Sequence, residues 1–181
     1  KDYLVYRLSG AFSTDFSDAS GMLLLDVKNR RWSREMCDVC GISEQMLPEL
    51  HESYEVVGML KKEIADKFGL KDVKIIAGAG DNAAAAVGTG VVGEGGCNIS
   101  LGTSGTLFVS SASYKEDKVN ALHSFCHADG GWHLMGCILS AASCNSWWVN
   151  GILQSTDYKK EEDGLDEVIG QNDVYFLPNL M

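Results

Sequence analysis

One acidic side chain stands alone in the stretch "IIAGAGDNAAAAVGTG" (75–90): Asp81, set between a glycine-rich turn and a run of alanines. Two accounts compete for it. Aspartate is favoured just before a helix, where its oxygens accept from free backbone N–H groups. The neighbouring residues support a second use. Gly78 and Gly80 permit positive φ and let a ligand or another backbone come close, and the alanines leave space around the carboxylate. An aspartate is ionised at neutral pH and can take the proton of an attacking hydroxyl. Strand-to-helix turns are also where open α/β sheets bind their ligands. Asp81 is therefore a candidate general base.

A second stretch, "SLGTSGTLF" (100–108), follows about twenty residues later. Its composition suits a plain hairpin turn. It also suits phosphate binding: Gly102 and Gly105 would expose backbone amides, and Thr103 and Ser104 add hydroxyl donors.

Other motifs carry less. "GTGVVG" (88–93) fits the G-x-G-x-x-G string, but it follows an alanine-rich helix rather than a strand, so the dinucleotide-binding context is missing. "CDVC" (37–40) has no second pair at zinc spacing. His123, His127 and His133 around Cys126 are read as core or edge positions of strands rather than metal ligands. In "LSAASCNSWW" the small residues permit close helix packing, and Trp147 and Trp148 are expected to bury apolar area.

The elements that must position these residues follow from periodicity and punctuation. A short helix over 2–9 is closed by Gly10, and another begins at Ser33 and stops at Gly41. Leu60, Ile64 and Phe68 recur every four residues among charges, giving an amphipathic helix ended by Gly69. "FSTDFSDASG" reads as a loop leading into a short helix, and "VKIIAG" as a buried strand. Beyond about residue 92 the pattern changes to paired strands: "CNISLG" with "TLFVSS", then "LHSFCHA" with "GWHLMG" across Asp129, Gly130 and Gly131. A long helix over about 138–152, a charged segment "YKKEEDGLDEVIG" and a strand-like "VYFLPNLM" complete the chain. The expected class is α/β with a boundary near 92.

Composition narrows the partners. The 181 residues are 45% hydrophobic with a net charge of −10, which argues against a duplex-DNA or anionic-membrane surface but not against one phosphorylated metabolite held by local amides. The six cysteines are spread through apolar surroundings and read as reduced thiols. No apolar run approaches the roughly 18 residues of a membrane span.

Taken in order, "TDFSDASGMLLLDVKNRRWS", "AGAGDNAAAAVG", "SLGTSGTLF", "HSFCHA" and "HLMGCILSAASC" resemble segments of the FGGY family of carbohydrate kinases, in particular its xylulose branch. The resemblance implies an actin-like (ribonuclease-H-like) α/β fold in two domains that close on ATP and sugar. Residues 1–91 would end the sugar-binding domain, and 92–181 would begin the nucleotide-binding domain. By the same resemblance Asp81 is the catalytic base and Asn82 helps hold the sugar. Gly102, Thr103, Ser104 and Gly105 approach the ATP phosphates, and Ala142 and Ser146 lie on a helix lining the nucleotide site.

The implied reaction is ATP-dependent phosphorylation of a ketopentose, D-xylulose to D-xylulose 5-phosphate. Mg²⁺ would ride on the ATP phosphates with Asp81 in its outer shell, without direct protein ligands. The implied setting is cytoplasmic, with ATP and a sugar as small-molecule partners, no nucleic acid, no membrane, and a homodimer as an open possibility. The family's Gly-x-Asp-x-Gly-Thr-like hairpin, its Met-His sugar segment and its later adenosine loop are not in these 181 residues, and Ala85 replaces a frequent glycine. The chain is therefore read as a central piece, inactive alone. Three alternatives stay open: another sugar or polyol kinase of the family, an actin-like nucleotide-binding module without sugar chemistry, and, more remotely, a NAD-binding oxidoreductase.

Overall fold

The computed structural model describes residues 1–119, 121–171 and 173–180. The chain divides into two units, Lys1–Asn98 with Phe108–Met135, and Ile99–Leu107 with Gly136–Met181.

In the first unit, helix α1 (Asp2–Ser9) ends where Gly10 takes φ 90° and its N–H donates to the Tyr6 carbonyl at 2.8 Å. The next segment departs from the expected loop. Strand β1 (Ser13–Asp15) is wholly buried and pairs in parallel with β4 (Glu49–His51), and α2 (Phe16–Ala19) with a 3₁₀ turn at Ser20–Met22 follows at once. Ser, Thr and Asp read locally as turn formers, but here the Asp15 carboxylate is satisfied by Ser17, Ser53 and Lys1, which permits its burial, while Ser13 Oγ and Thr14 Oγ1 are buried without a partner. A hairpin of β2 (Leu25–Asp26) and β3 (Arg31–Trp32) leads to α3 (Arg34–Cys40), which Ser33 caps by accepting from the Met36 amide and Gly41 closes at φ 67°.

Strand β5 (Val56–Met59) precedes α4 (Lys62–Phe68), closed by Gly69 at φ 65°, and pairs antiparallel with β6 (Lys74–Ile76). The buried strand expected here is instead exposed, Ile76 at 49%, because β6 belongs to a two-stranded ribbon that leaves much of it uncovered. Helix α5 (Asp81–Gly88) buries Ala83 and Ala86.

Strands β7 (Cys97–Leu101), β8 (Gly105–Ser111), β9 (His123–Cys126) and β10 (Trp132–Ile138) form a sheet in the order β7-β8-β10-β9, with both expected pairs present. The β9–β10 pairing is antiparallel and sets His133 opposite Phe125.

One core cluster joins Ala19, Leu25, Trp32 and Cys126, with Leu50 and Trp132 packed against it; the other joins Ala86, Val91 and Phe108. Both indoles are satisfied: Trp32 Nε1 donates to the Pro48 carbonyl at 3.0 Å and Trp132 Nε1 to that of Val27 at 3.1 Å. Arg30 binds Glu52 bidentately, donates to the carbonyls of Gly130 and Gly131, and lies 4.4 Å over the Phe16 ring. It thus fastens segments a hundred residues apart.

In the second unit, the helix expected from 138 starts later, as α6 (Ala142–Ser146), and continues as a π-helical stretch, Trp147–Ile152. Strand β10 extends to Ile138, and the small residues after it make backbone bonds to the 102–103 loop before the helix turns. The charged segment folds into α7 (Tyr158–Glu161) and α8 (Leu165–Val168). Residues 174–180, expected to be strand-like, contain no strand; Met181 lies outside the described residues. Among the described residues no helix is long and apolar enough to cross a membrane.

Candidate active site

Asp81 is the first residue of α5, and Gly80, not Asp81, occupies the capping position. The Asp81 carboxylate is exposed; its Oδ1 accepts only the adjacent Asn82 amide, at 2.7 Å, and among the described residues no cation pairs with it. A helix start favours a negative charge at this point. The side chain lines a cleft of about 140 Å³ together with Ser17, Asp18, Gly80, Asn82, Phe125 and His133.

The turn before Asp81 is tied down at successive backbone groups. Ala77 donates to the Glu55 carbonyl at 3.0 Å, Gly78 to that of Ser53 at 2.9 Å, and the Gly80 amide to Ser17 Oγ at 3.0 Å. The two glycines are not alike. Gly78 adopts φ 78°, where glycine is favoured. Gly80 has an ordinary φ of −58°, and a Cβ there would make ordinary contact with the Asp18 Cα at 3.4 Å.

Beneath this turn lies Asp15, 0% exposed. It accepts from the Ser17 amide at 3.0 Å, the Asp18 amide at 3.4 Å, Ser53 Oγ at 2.6 Å and Ser17 Oγ, and Lys1 Nζ lies 3.0 Å away. Burial works against the Lys1 charge, but hydrogen bonds to Asp2 and Asp15 outweigh it and hold the ammonium pKa above its ordinary value. Ser17 Oγ, donating to Asp15 and accepting from Gly80, links this buried charge to the backbone that carries Asp81.

His133 forms another part of the wall. It is 3% exposed, its ring stacks 3.9 Å from Phe108 at 19°, and Phe125 meets it edge-on at 5.6 Å. Both of its ring nitrogens are sealed from solvent. Burial, helped by nearby His127, pushes its pKa down to about 3, against smaller opposing effects of Asp129 and of a backbone hydrogen bond at Cys126. His127, 5.8 Å away, is fully satisfied: Nε2 meets the Val91 carbonyl at 2.9 Å and Nδ1 accepts from the Ala128 amide at 2.8 Å.

The second unit gathers another set. Gly102 donates to the Ser104 carbonyl at 2.9 Å, closing the loop on itself, so that amide is already engaged. The Gly102 carbonyl accepts from Ala142 at 2.9 Å, and the Thr103 carbonyl accepts from Ala141 at 2.8 Å and from Ser143 Oγ at 3.0 Å. The Thr103 and Ser104 side chains stay exposed. Gly105 is required by space: a Cβ would lie 3.0 Å from Ala141 Cβ and 3.1 Å from Ile138 Cγ1. Ser146 lies further along α6, its Oγ accepting from the Tyr158 hydroxyl at 3.3 Å. Alongside runs an apolar groove of about 850 Å³ lined by Leu101, Ile138, Ala142, Trp147, Trp148 and Phe176. The two tryptophans, expected to be buried, are 40% and 49% exposed on it, because their small neighbours leave the groove open.

Asp81 and Asn82 thus share the first unit's cleft, while Gly102, Thr103, Ser104, Gly105, Ala142 and Ser146 all lie in the second unit. Sequence reasoning missed Asp15, Ser17, Asp18 and His133. "SDAS" was visible only as capping chemistry, and nothing local marks a strand histidine as one that will line a cleft. Among the described residues no group of three or more His, Cys, Asp or Glu side chains is placed to hold a metal ion.

Residues 1–88 match the N-terminal domain of the FGGY family of carbohydrate kinases. The chain is 47% identical to the xylulose kinase of Escherichia coli over 148 residues, 81% of the chain, and 42% identical to that of Klebsiella pneumoniae over 183 residues, 99% of the chain. It spans about a third of these relatives, 31% and 38% of their lengths. A crystal structure described as a "xyloylose kinase" from Brucella ovis superposes with a TM-score of 0.83 at 41% identity, covering 95% of this chain and 35% of that one. The chain belongs to the FGGY family of carbohydrate kinases, and its α/β fold is the actin-like ATPase fold of that family.

Proposed function

We propose that the protein carrying this chain is an ATP-dependent ketopentose kinase that converts D-xylulose to D-xylulose 5-phosphate, with Asp81 as general base. The observation that carries the reading is an exposed, cation-free carboxylate in a cleft whose backbone is anchored to a buried charge. Phosphoryl transfer asks a protein chiefly for positioning and charge stabilisation. In the proposed step a sugar hydroxyl oxygen bonds to the γ-phosphorus, the bond to the ADP oxygen breaks, and the hydroxyl proton passes to the Asp81 carboxylate. Asn82, beside it in the cleft, holds the sugar.

Gly102, Thr103, Ser104 and Gly105 are assigned to the ATP phosphates, with Ala142 and Ser146 on the helix beside the nucleotide. The contact of Ala142 with the loop carbonyl supports grouping them. Mg²⁺ keeps several waters and prefers oxygen ligands; the exposed carboxylates of Asp81 and Asp18 are the oxygens this cleft offers, and the ion would neutralise phosphate charge. Residues 1–91 are assigned to the end of the sugar-binding domain and 92–181 to the start of the nucleotide-binding domain, so the piece alone is expected to be inactive. Six unpaired thiols favour a reducing, cytoplasmic setting. A homodimer is the assembly to test, by sedimentation of the full-length protein.

The deciding experiment is Asp81→Ala in the full-length protein. General-base catalysis contributes about 10²–10⁴-fold, so D-xylulose-dependent ADP release should fall by that order. Turnover close to wild type would refute the assignment, and profiling other sugars and polyols against the wild type tests the choice of D-xylulose.

A further inference from the structure

We propose that Ser17 is a positioning residue for the general base, its hydroxyl carrying the hold of the buried Asp15 carboxylate to the backbone beside Asp81. The proposal rests on the reading of Asp81 as that base. The Asp81 carboxylate accepts from the adjacent Asn82 amide, so its place in the cleft is inherited from the turn behind it. Two of that turn's ties come from serines. Gly78 donates to the Ser53 carbonyl at 2.9 Å, and Gly80, the residue before Asp81, donates to Ser17 Oγ at 3.0 Å. Both serine hydroxyls converge on one oxygen of Asp15: Ser53 Oγ meets Oδ2 at 2.6 Å, and Ser17 Oγ donates to the same atom. The other oxygen, Oδ1, holds Lys1 Nζ at 3.0 Å and the Asp18 amide at 3.4 Å. The Lys1 stem runs against the same turn, where a Cβ at Gly78 would lie 3.1 Å from Lys1 Cδ.

The competing account is helix capping. Asp15 caps α2, which explains its bonds to the Ser17 and Asp18 amides. Capping does not call on Ser53, and it gives no reason for Ser17 Oγ to meet a backbone N–H 63 positions later. Chemistry also sets the direction of the link. A hydroxyl has one proton to donate, and a carboxylate paired with an ammonium can only accept. Ser17 therefore gives its proton to Asp15 and turns a lone pair to Gly80. Its rotor has one setting, and hydrogen bonds to an ionised group are the strong ones. Asp81 thus stays open to the cleft while its backbone is braced from below.

The test uses the full-length protein with D-xylulose and ATP. Ser17→Ala and Ser53→Ala each remove one buried hydroxyl from the same Asp15 oxygen, so a purely structural role predicts like kinetics from both. Ser53→Ala keeps its carbonyl on Gly78, whereas Ser17→Ala frees the Gly80 amide. Ser17→Ala should lower kcat about tenfold, less than the ~10²-fold of a 1 Å misplacement, and Ser53→Ala less than about threefold, with KM for ATP unchanged in both. In an Asp81→Ala background Ser17→Ala should alter the residual kcat by less than about twofold, because residues acting as a unit are not additive. Should Ser17→Ala not fold, Ser17→Cys, close in size with a weaker donor and acceptor, carries the same comparison. Equal kcat losses in the two serine variants, a Ser17 variant within about twofold of wild type, or a loss that persists without Asp81 overturns the proposal. Asp81→Ala alone separates the two ideas: turnover close to wild type condemns the base assignment, whereas its collapse beside a fast Ser17→Ala condemns only the serine.

Discussion

The cleft around Asp81 and the loop around Thr103 are built from the same small vocabulary of glycine, serine, threonine and alanine, yet they are secured in different ways. The cleft hangs on a buried carboxylate. Asp15 collects hydroxyls and amides from residues 17, 18 and 53, and Ser17 passes that anchorage to Gly80, 63 positions later. The loop is held mainly by backbone bonds from the start of the following helix, with a serine hydroxyl assisting and no charge involved. On the proposed reading, a group that must meet a proton at a defined distance gains from a stiff, long-range polar network, because small misplacement is costly. A loop that only presents hydroxyls to a flexible phosphate chain can rely on local geometry.

Mutations can break this contrast at graded strength. The largest effect is expected from Asp15→Ala, which leaves Lys1 its contacts with Asp2 and Asp18 but strands the Ser17 and Ser53 hydroxyls and the Ser17 amide; each unsatisfied buried group costs about 1–3 kcal/mol, readable by urea unfolding of the full-length protein. In the other region, Gly105→Ala forces a methyl against Ala141 and Ile138 and should cost about 1–3 kcal/mol, with KM for ATP rising and KM for the sugar unchanged. Ser17→Ala, which leaves the Gly80 amide without its acceptor, should cost about 1–2 kcal/mol and lower kcat more than it changes KM for ATP, the opposite signature.

The smallest effect near neutral pH comes from His133, and it grows with acidity. The ring is neutral in the folded state, while its unfolded counterpart takes up a proton below about 6.5. The unfolded state therefore binds more protons between about pH 6.5 and 3, and stability is lost as pH falls through that window, by at most about 1.4 kcal/mol per pH unit. Relative to His133→Phe, with both followed by denaturation at a series of pH values, wild type should lose stability on acidification.

Local chemistry was readable from the sequence and long-range satisfaction was not. Gly10, Gly41 and Gly69 end helices as their positions indicated, and Ser33 caps one, because each of these roles is settled within a few residues. Both strand pairs flanking glycine turns formed for the same reason. The segment Ser13–Asp15 looked like a loop because the burial of Asp15 depends on Ser53 and Lys1 and the strand pairs with Glu49–His51, which no local window contains. Ile76 looked buried because an apolar strand pattern does not say how many sheets will cover it. At the site, Asp81 was conspicuous by its neighbours. The burial of His133 beside the cleft could be recognised only in the structure, because nothing local to a strand histidine says what will cover it.

The most direct measurement is a crystal structure of the full-length enzyme with D-xylulose and a non-hydrolysable ATP analogue. A sugar hydroxyl oxygen should lie about 2.6–3.2 Å from an Asp81 carboxylate oxygen, hydrogen-bond reach for a base, and face the terminal phosphate. A sugar bound elsewhere, or Asp81 engaged by a protein cation when both ligands are present, would contradict the account.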